Sequence, residues 1–150
     1  MMGEAEKGLR AQIVAEAKTW IGTPYHHEGR IKAAGVDCGM LILEVFEKVG
    51  LLPHIEVEHY PQDFMLHRSE EWYLKIVLEN GFEIFKTPLP GDVVLYRSGR
   101  IYAHGGIVIN WPTIVHACVD EKKVSIANAL ITPLLNKKRR LFRHSQFEGE

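Results

Sequence analysis

Residues 88–119 read PLPGDVVLYRSGRIYAHGGIVINWPTIVHACV, and the texture of the chain changes within them. From Asp92 onward the sequence breaks into short runs rich in β-branched residues: DVVLYR (92–97), AHGGIVIN (103–110), TIVHACV (113–119), KVSIAN (123–128) and RRLFRH (139–144). Turn formers such as Ser98-Gly99 and Asp120-Glu121 separate them. The gaps leave no room for helical crossovers, so these runs predict strands that pair antiparallel.

Upstream the period is helical. Leu9, Ile13, Ala17 and Trp20 recur at steps of three and four, predicting an amphipathic helix to about Ile21. GTPYHHEGR (22–30) breaks it and reads as a polar loop. Cys38, Leu41, Ile42, Val45, Phe46 and Val49 form the next stripe, with Gly50 as its left-handed stop and Pro53 beyond. Asp37 stands where a carboxylate caps the first turn. Residues 53–68 carry no clean period and read as a long loop. A third helix is expected from Ser69, as N-cap, through Trp72, Ile76 and Val77 to Asn80, with Gly81 as its stop. Helices first and strands afterwards make an α+β fold, with N-terminal helices packed on one side of a central antiparallel sheet.

The chain of 150 residues fits one domain with a full core, and no repeat or linker divides residues 1–150. A net charge of -1 gives no field that draws the protein to nucleic acid or an anionic membrane. The run Lys137, Lys138, Arg139, Arg140 is short and reads as a solvated turn. Two cysteines supply no disulfide framework. The first twenty residues lack the apolar stretch and cleavage site of a signal peptide, and the longest apolar run, Met40 to Leu43, is too short for membrane insertion. Synthesis in the cytoplasm without a signal peptide is expected, with something else carrying the protein if it acts outside.

Three residues carry a chemical reading. Cys38 opens a helix, where unpaired N–H groups and the helix dipole favour a thiolate and can serve an oxyanion. Taken alone, a small buried hydrophobe is the better account of it. A thiol nucleophile needs a base. His104 starts a strand and is followed by two glycines that permit close approach, although a half-buried strand-end histidine serves equally well. His116 lies in the next strand, where a hairpin brings it beside His104 to orient its imidazole; by itself it reads as a core histidine bonded to backbone. Together they form a Cys–His–His constellation. His26-His27 reads as solvated loop, with no ligand cluster beside it, so neither metal nor cofactor is expected. Cys118, two residues from His116 and on the same face, reads as packing inside the sheet.

The sequence resembles the NlpC/P60 cysteine peptidases over most of its length. WIGTPYHHEGRIKAAGVDCGMLILEVFEKVGLL (20–52) is similar to the family's opening block with its Gly-x-Pro-Tyr and Asp-Cys motifs. LPGDVVLYRSGRIYAHGGIVIN (89–110) resembles its proline-glycine-aspartate and histidine strands, and TIVHA (113–117) the strand of the third polar residue. The resemblance implies a papain-like fold with Cys38 as nucleophile, His104 as base, His116 as its orienting residue, and Tyr25 beside the thiol, assisting the oxyanion or substrate. Asp37 and Gly39, on either side of the nucleophile, fall within the implied substrate and oxyanion site. It further implies cleavage of peptidoglycan stem peptide near the D-glutamyl–diamino acid bond, without a cofactor. The long spacer before Cys38 and the HYPQDF segment (59–64) are most similar to the branch encoded with phage and prophage tail genes, which implies tail proteins as partners and a virion tail location. The family usually has Asp-Cys-Ser-Gly where this chain has Asp37-Cys38-Gly39-Met40; Gly105 replaces a common valine or leucine, and Cys118 a small polar residue. Two other readings accompany the peptidase: a structural tail-assembly protein with an idle site, and a papain-fold amidase or acyltransferase acting on a non-wall substrate, which Gly39 keeps open.

Overall fold

Residues 2–58 and 72–149 are described by the computed structural model; Ser69 and the HYPQDF segment lie outside the described residues. Helix α1 (Glu4–Thr19) carries Glu4 and Glu6 in its first turn and Lys18 in its last, which complements the helix dipole. Its stripe buries Ile13 and Ala17 completely. The loop expected over residues 22–30 leads into a short antiparallel hairpin, β1 (Arg30–Ile31) and β2 (Gly35–Val36). Two-residue strands carry no readable period, so the sequence held no sign of it. The hairpin delivers the chain directly into α2 (Cys38–Lys48), whose Leu41 and Val45 are fully buried against α1 and the sheet.

The third helix, α3 (Trp72–Asn80), ends where expected, but Gly81 does not merely stop it. Gly81 opens an unanticipated strand, β3 (Gly81–Ile84), paired with β8 (Arg139–His144) in the register Gly81 to His144. A Cβ at Gly81 would collide with the Arg143 carbonyl, so a partner about sixty residues away requires the glycine. The five expected strands form as β4 (Val93–Ser98), β5 (Ile101–Asn110), β6 (Thr113–Cys118), β7 (Lys123–Asn128) and β8. They make an antiparallel sheet in the order β3-β8-β4-β5-β6-β7.

Alternation along the strands sends side chains to two apolar layers. Leu95, Ile107 and Val115 pack with the helices, while Val94, Tyr96, Val108 and Ile114 form a second cluster with Leu134 and Trp111. The helices thus cover one face, as the sequence predicts, and the segment around the 3₁₀ turn Leu134–Asn136 helps cover the other.

A buried ionic junction locks helices to sheet. Asp92, just before β4, is fully buried and accepts from Arg10 of α1 at 2.9 Å and from Arg143 of β8 at 2.8 Å. Arg10 also donates to the Pro90 carbonyl at 2.8 Å and to Glu6 at 2.9 Å. The proline-glycine-aspartate motif is therefore a structural joint: its aspartate brings together α1, β8 and the entry to β4.

Candidate active site

Cys38 is the first residue of α2, and Asp37 is the N-cap in extended conformation. One Asp37 oxygen accepts from the Met40 N–H at 2.9 Å, the other from the Glu28 N–H at 2.8 Å. Asp37 thereby pins the loop to the helix start with its carboxylate turned toward backbone. Tyr25 is held from both sides, its N–H donating to the Lys122 carbonyl at 2.9 Å while the neighbouring His26 N–H bonds the Val36 carbonyl at 3.0 Å. These bonds set the Tyr25 side chain beside the thiol, where burial first, then Cys38 and Asp37, push its phenol well above the ordinary value.

Cys38, Tyr25, His104 and His116 all face one cleft of about 680 Å³. Residues 66 and 78 positions apart from Cys38 therefore share one space, as the Cys–His–His reading requires. His104 of β5 is paired across the sheet with Tyr96, and its ring stacks on that tyrosine at 5.9 Å between centroids. Its Nε2 lies 2.8 Å from Nδ1 of His116, the two rings meeting edge to face. Desolvation, then His116 and Lys137, push His104 down to about 3. Burial also lowers His116, partly opposed by Glu121.

The thiol is quieter than its helix position suggests. Cys38 is only 7% exposed. Burial, with Asp37 adding, pushes it up to about 12, while Tyr73 and the N–H groups of Gly39 and Gly105 pull the other way. Sequence reasoning weighed the helix N-terminus, a local effect, and could not weigh the burial that outweighs it. Among the described residues Sγ bonds the Tyr73 hydroxyl and faces the Ala103 carbonyl at 3.6 Å.

Tyr73 is the site residue that the sequence did not disclose. It stacks on Trp72 at 4.4 Å with rings 10° from parallel, and this aromatic plate at the start of α3 lies over Gly39. A Cβ on Gly39 would strike the Trp72 ring and come within 2.6 Å and 2.7 Å of two Tyr73 ring carbons. The glycine in the usual serine position thus has a physical reason: it makes room for α3 to close on the thiol. Gly105 is explained in the same way, since a Cβ there would lie 2.9 Å from Leu95 and 3.0 Å from Ile42. What approaches the glycines after His104 is this protein's own core. Cys118, expected inside the sheet, is only partly buried and lines the cleft on the same face as His116.

A model of the NlpC/P60 family matches residues 22–139. No curated protein matches the chain. Among solved structures, the NlpC/P60 domain of the peptidoglycan hydrolase SagA superposes with a TM-score of 0.57 at 19% identity, covering 88% of this chain and 97% of that one. An NlpC/P60 family protein from Bacillus cereus gives 0.67 at 17% identity, covering 90% of this chain and 40% of that one. The peptidoglycan hydrolase RipB from Mycobacterium tuberculosis gives 0.64 at 17% identity, covering 94% and 67%. This chain thus spans nearly the whole SagA domain but less than half of the Bacillus protein. With the family's motifs and its papain-like α+β architecture both present, the chain belongs to the NlpC/P60 family.

Proposed function

We propose that this protein is a thiol peptidase that hydrolyses an amide bond of peptidoglycan stem peptide, of the D-glutamyl–diamino acid type, in association with a phage or prophage tail. The observation that carries the reading is the shared cleft: Cys38 at the first turn of α2 opens onto the same space as the hydrogen-bonded His104–His116 pair. The SagA and RipB hydrolases, similar in fold, support peptidoglycan as the substrate class. The tail association rests on the sequence of the long spacer before Cys38 and of the HYPQDF segment (59–64). Among the described residues no helix is long and apolar enough to cross a membrane.

In the mechanism, Tyr73 first leaves Sγ and substrate takes its place. His104 donates through Nε2–H to His116 Nδ1, which leaves its own Nδ1 free to accept the Cys38 proton. Sγ attacks the carbonyl carbon, and N–H donors at the start of α2 receive the oxyanion, with Tyr25 beside them. The imidazolium returns its proton to the leaving amine, giving a thioester. His104 then takes a proton from water, which attacks the thioester and releases acid and free thiol. Asp37 holds the Cys38 turn in place, and Gly39 leaves the substrate side open once α3 withdraws.

Defined stem peptides incubated with wild type and Cys38→Ala test the proposal. Wild type should release the new amine, and the variant should lose about 10⁴-fold or more in rate with an unchanged melting temperature. Equal cleavage by both proteins would overturn it. The covered thiol favours, as the second reading, a structural tail protein with an idle site; wild-type protein inert on every stem peptide and on unrelated acyl substrates would select it.

A further inference from the structure

One end of the cleft carries a group of side chains of which the hydrolytic mechanism uses His116 alone, and only through its Nδ1. A ring nitrogen of His116, Sγ of Cys118 and a carboxylate oxygen of Glu121 lie within 4.8 Å of one another. His116 and Cys118 project from the same face of β6, and Glu121 follows in the turn to β7. Glu121 is steadied by Ser125, whose hydroxyl donates to one of its oxygens. Cys118 is a free thiol, partly open to the cleft. A second observation points to a ligand. His116 is 4% exposed, and with Nδ1 committed to His104, its Nε2 is buried without a hydrogen-bond partner among the described residues. An orphaned buried nitrogen has a cost of its own, and a ligand at that atom relieves it.

We propose that His116 Nε2, Cys118 Sγ and Glu121 form a binding site for a zinc-like divalent cation, and that its occupation switches off the peptidase. One nitrogen, one sulfur and one oxygen suit a borderline-soft, tetrahedral ion, with solvent in the fourth position. Ligand atoms around such an ion stand roughly 3.5 Å apart, so the observed group needs only small rotamer adjustments to close. On binding, the Cys118 thiol releases its proton to solvent and ligates as thiolate.

The consequence for catalysis rests on the function proposed above and follows from the single hydrogen bond between the histidines. A neutral imidazole that ligates through Nε2 carries its proton on Nδ1. His116 Nδ1 then donates to His104 Nε2 instead of accepting from it, so the proton of a neutral His104 moves to Nδ1. That is the atom that must accept the Cys38 proton. The cation therefore inactivates the base through a tautomer change, with no contact to the nucleophile.

Zinc titrated by calorimetry into the whole chain tests the site, with cobalt as a spectroscopic probe for a thiolate ligand. Cys38→Ala should bind one equivalent as wild type does, while Cys118→Ala and Glu121→Gln should lose at least about 10-fold in affinity. In the second arm, zinc should stop stem-peptide hydrolysis by wild type and spare Cys118→Ala. Binding that survives in Cys118→Ala and vanishes in Cys38→Ala would overturn the site by placing the ion at the catalytic thiol. Because the binding arm uses a protein without the nucleophile, failure of the peptidase reading and failure of the cation site are separate results. Normal binding without inhibition would refute the tautomer switch.

Discussion

Two buried polar regions of this protein solve the same problem in opposite ways. At the junction around Asp92, burial leaves the charges in place because they are matched: Arg10 and Arg143 face Asp92 and Glu6. Burial pushes the Glu6 carboxyl up, but the Glu148 N–H, Arg10 and the Gly149 N–H outweigh it, and the group sits below its ordinary range. In the cleft, Cys38 and Tyr25 are pushed up and His104 down, so each group is driven toward its neutral form. The contrast separates a region held by matched charges from one in which burial favours neutral groups. Paired charges are expensive to disturb, whereas neutral groups beside an open cleft can be re-ionised by admitting water or substrate.

The largest break in this contrast is expected at the junction. Asp92→Ala strands two buried guanidinium groups and should cost about 3–5 kcal/mol, read as a lower urea midpoint with little change in slope. A loss below about 1 kcal/mol would show that the guanidinium groups find other partners.

The cleft should respond in reactivity more than in stability. In the resting protein, a thiol held near 12 should alkylate at a rate that climbs through pH 7 to 10 without a plateau, since the rate follows the thiolate fraction. Tyr73→Ala admits water and should bring the curve toward the unperturbed value of ~8.5, raising the rate near pH 8 by up to roughly 10³-fold. Tyr73→Phe keeps the burial and removes a bond that favours the thiolate, so its curve should move no lower than wild type. Matching shifts in both variants would mean that the hydroxyl, not the covering ring, keeps the thiol protonated.

The smallest expected effect lies at Gly39. Gly39→Ser forces the Trp72–Tyr73 plate away and should cost about 1–2 kcal/mol in thermal unfolding while speeding Cys38 alkylation. Unchanged stability and labelling together would show that α3 does not rest on this glycine.

How far the residues themselves disclosed this arrangement depends on the range of each interaction. The stripes of α1 and α2 and the alternation of β4 to β8 were legible because a helix or strand with one apolar face repeats its pattern locally. Cys38, His104 and His116 were legible as a set because a thiol and two imidazoles are recognisable residue types on elements that could meet. β3 was not: four residues beginning at Gly81 look like the end of a helix until β8 lies beside them. Tyr73 was equally silent, because nothing in a helix opening with two aromatics says which glycine they will cover.

Short-range periodicity and residue chemistry were enough to indicate the α+β architecture, the chemical identity of the three cleft residues and the capping of α2 by Asp37. The surroundings of those residues depend instead on contacts between distant segments. Burial of Cys38 beneath Tyr73, the His104–His116 bond and the gathering of His116, Cys118 and Glu121 all join chain segments in space. Desolvation and proximity act through space, and a linear chain does not state which of its parts will exclude water from the others.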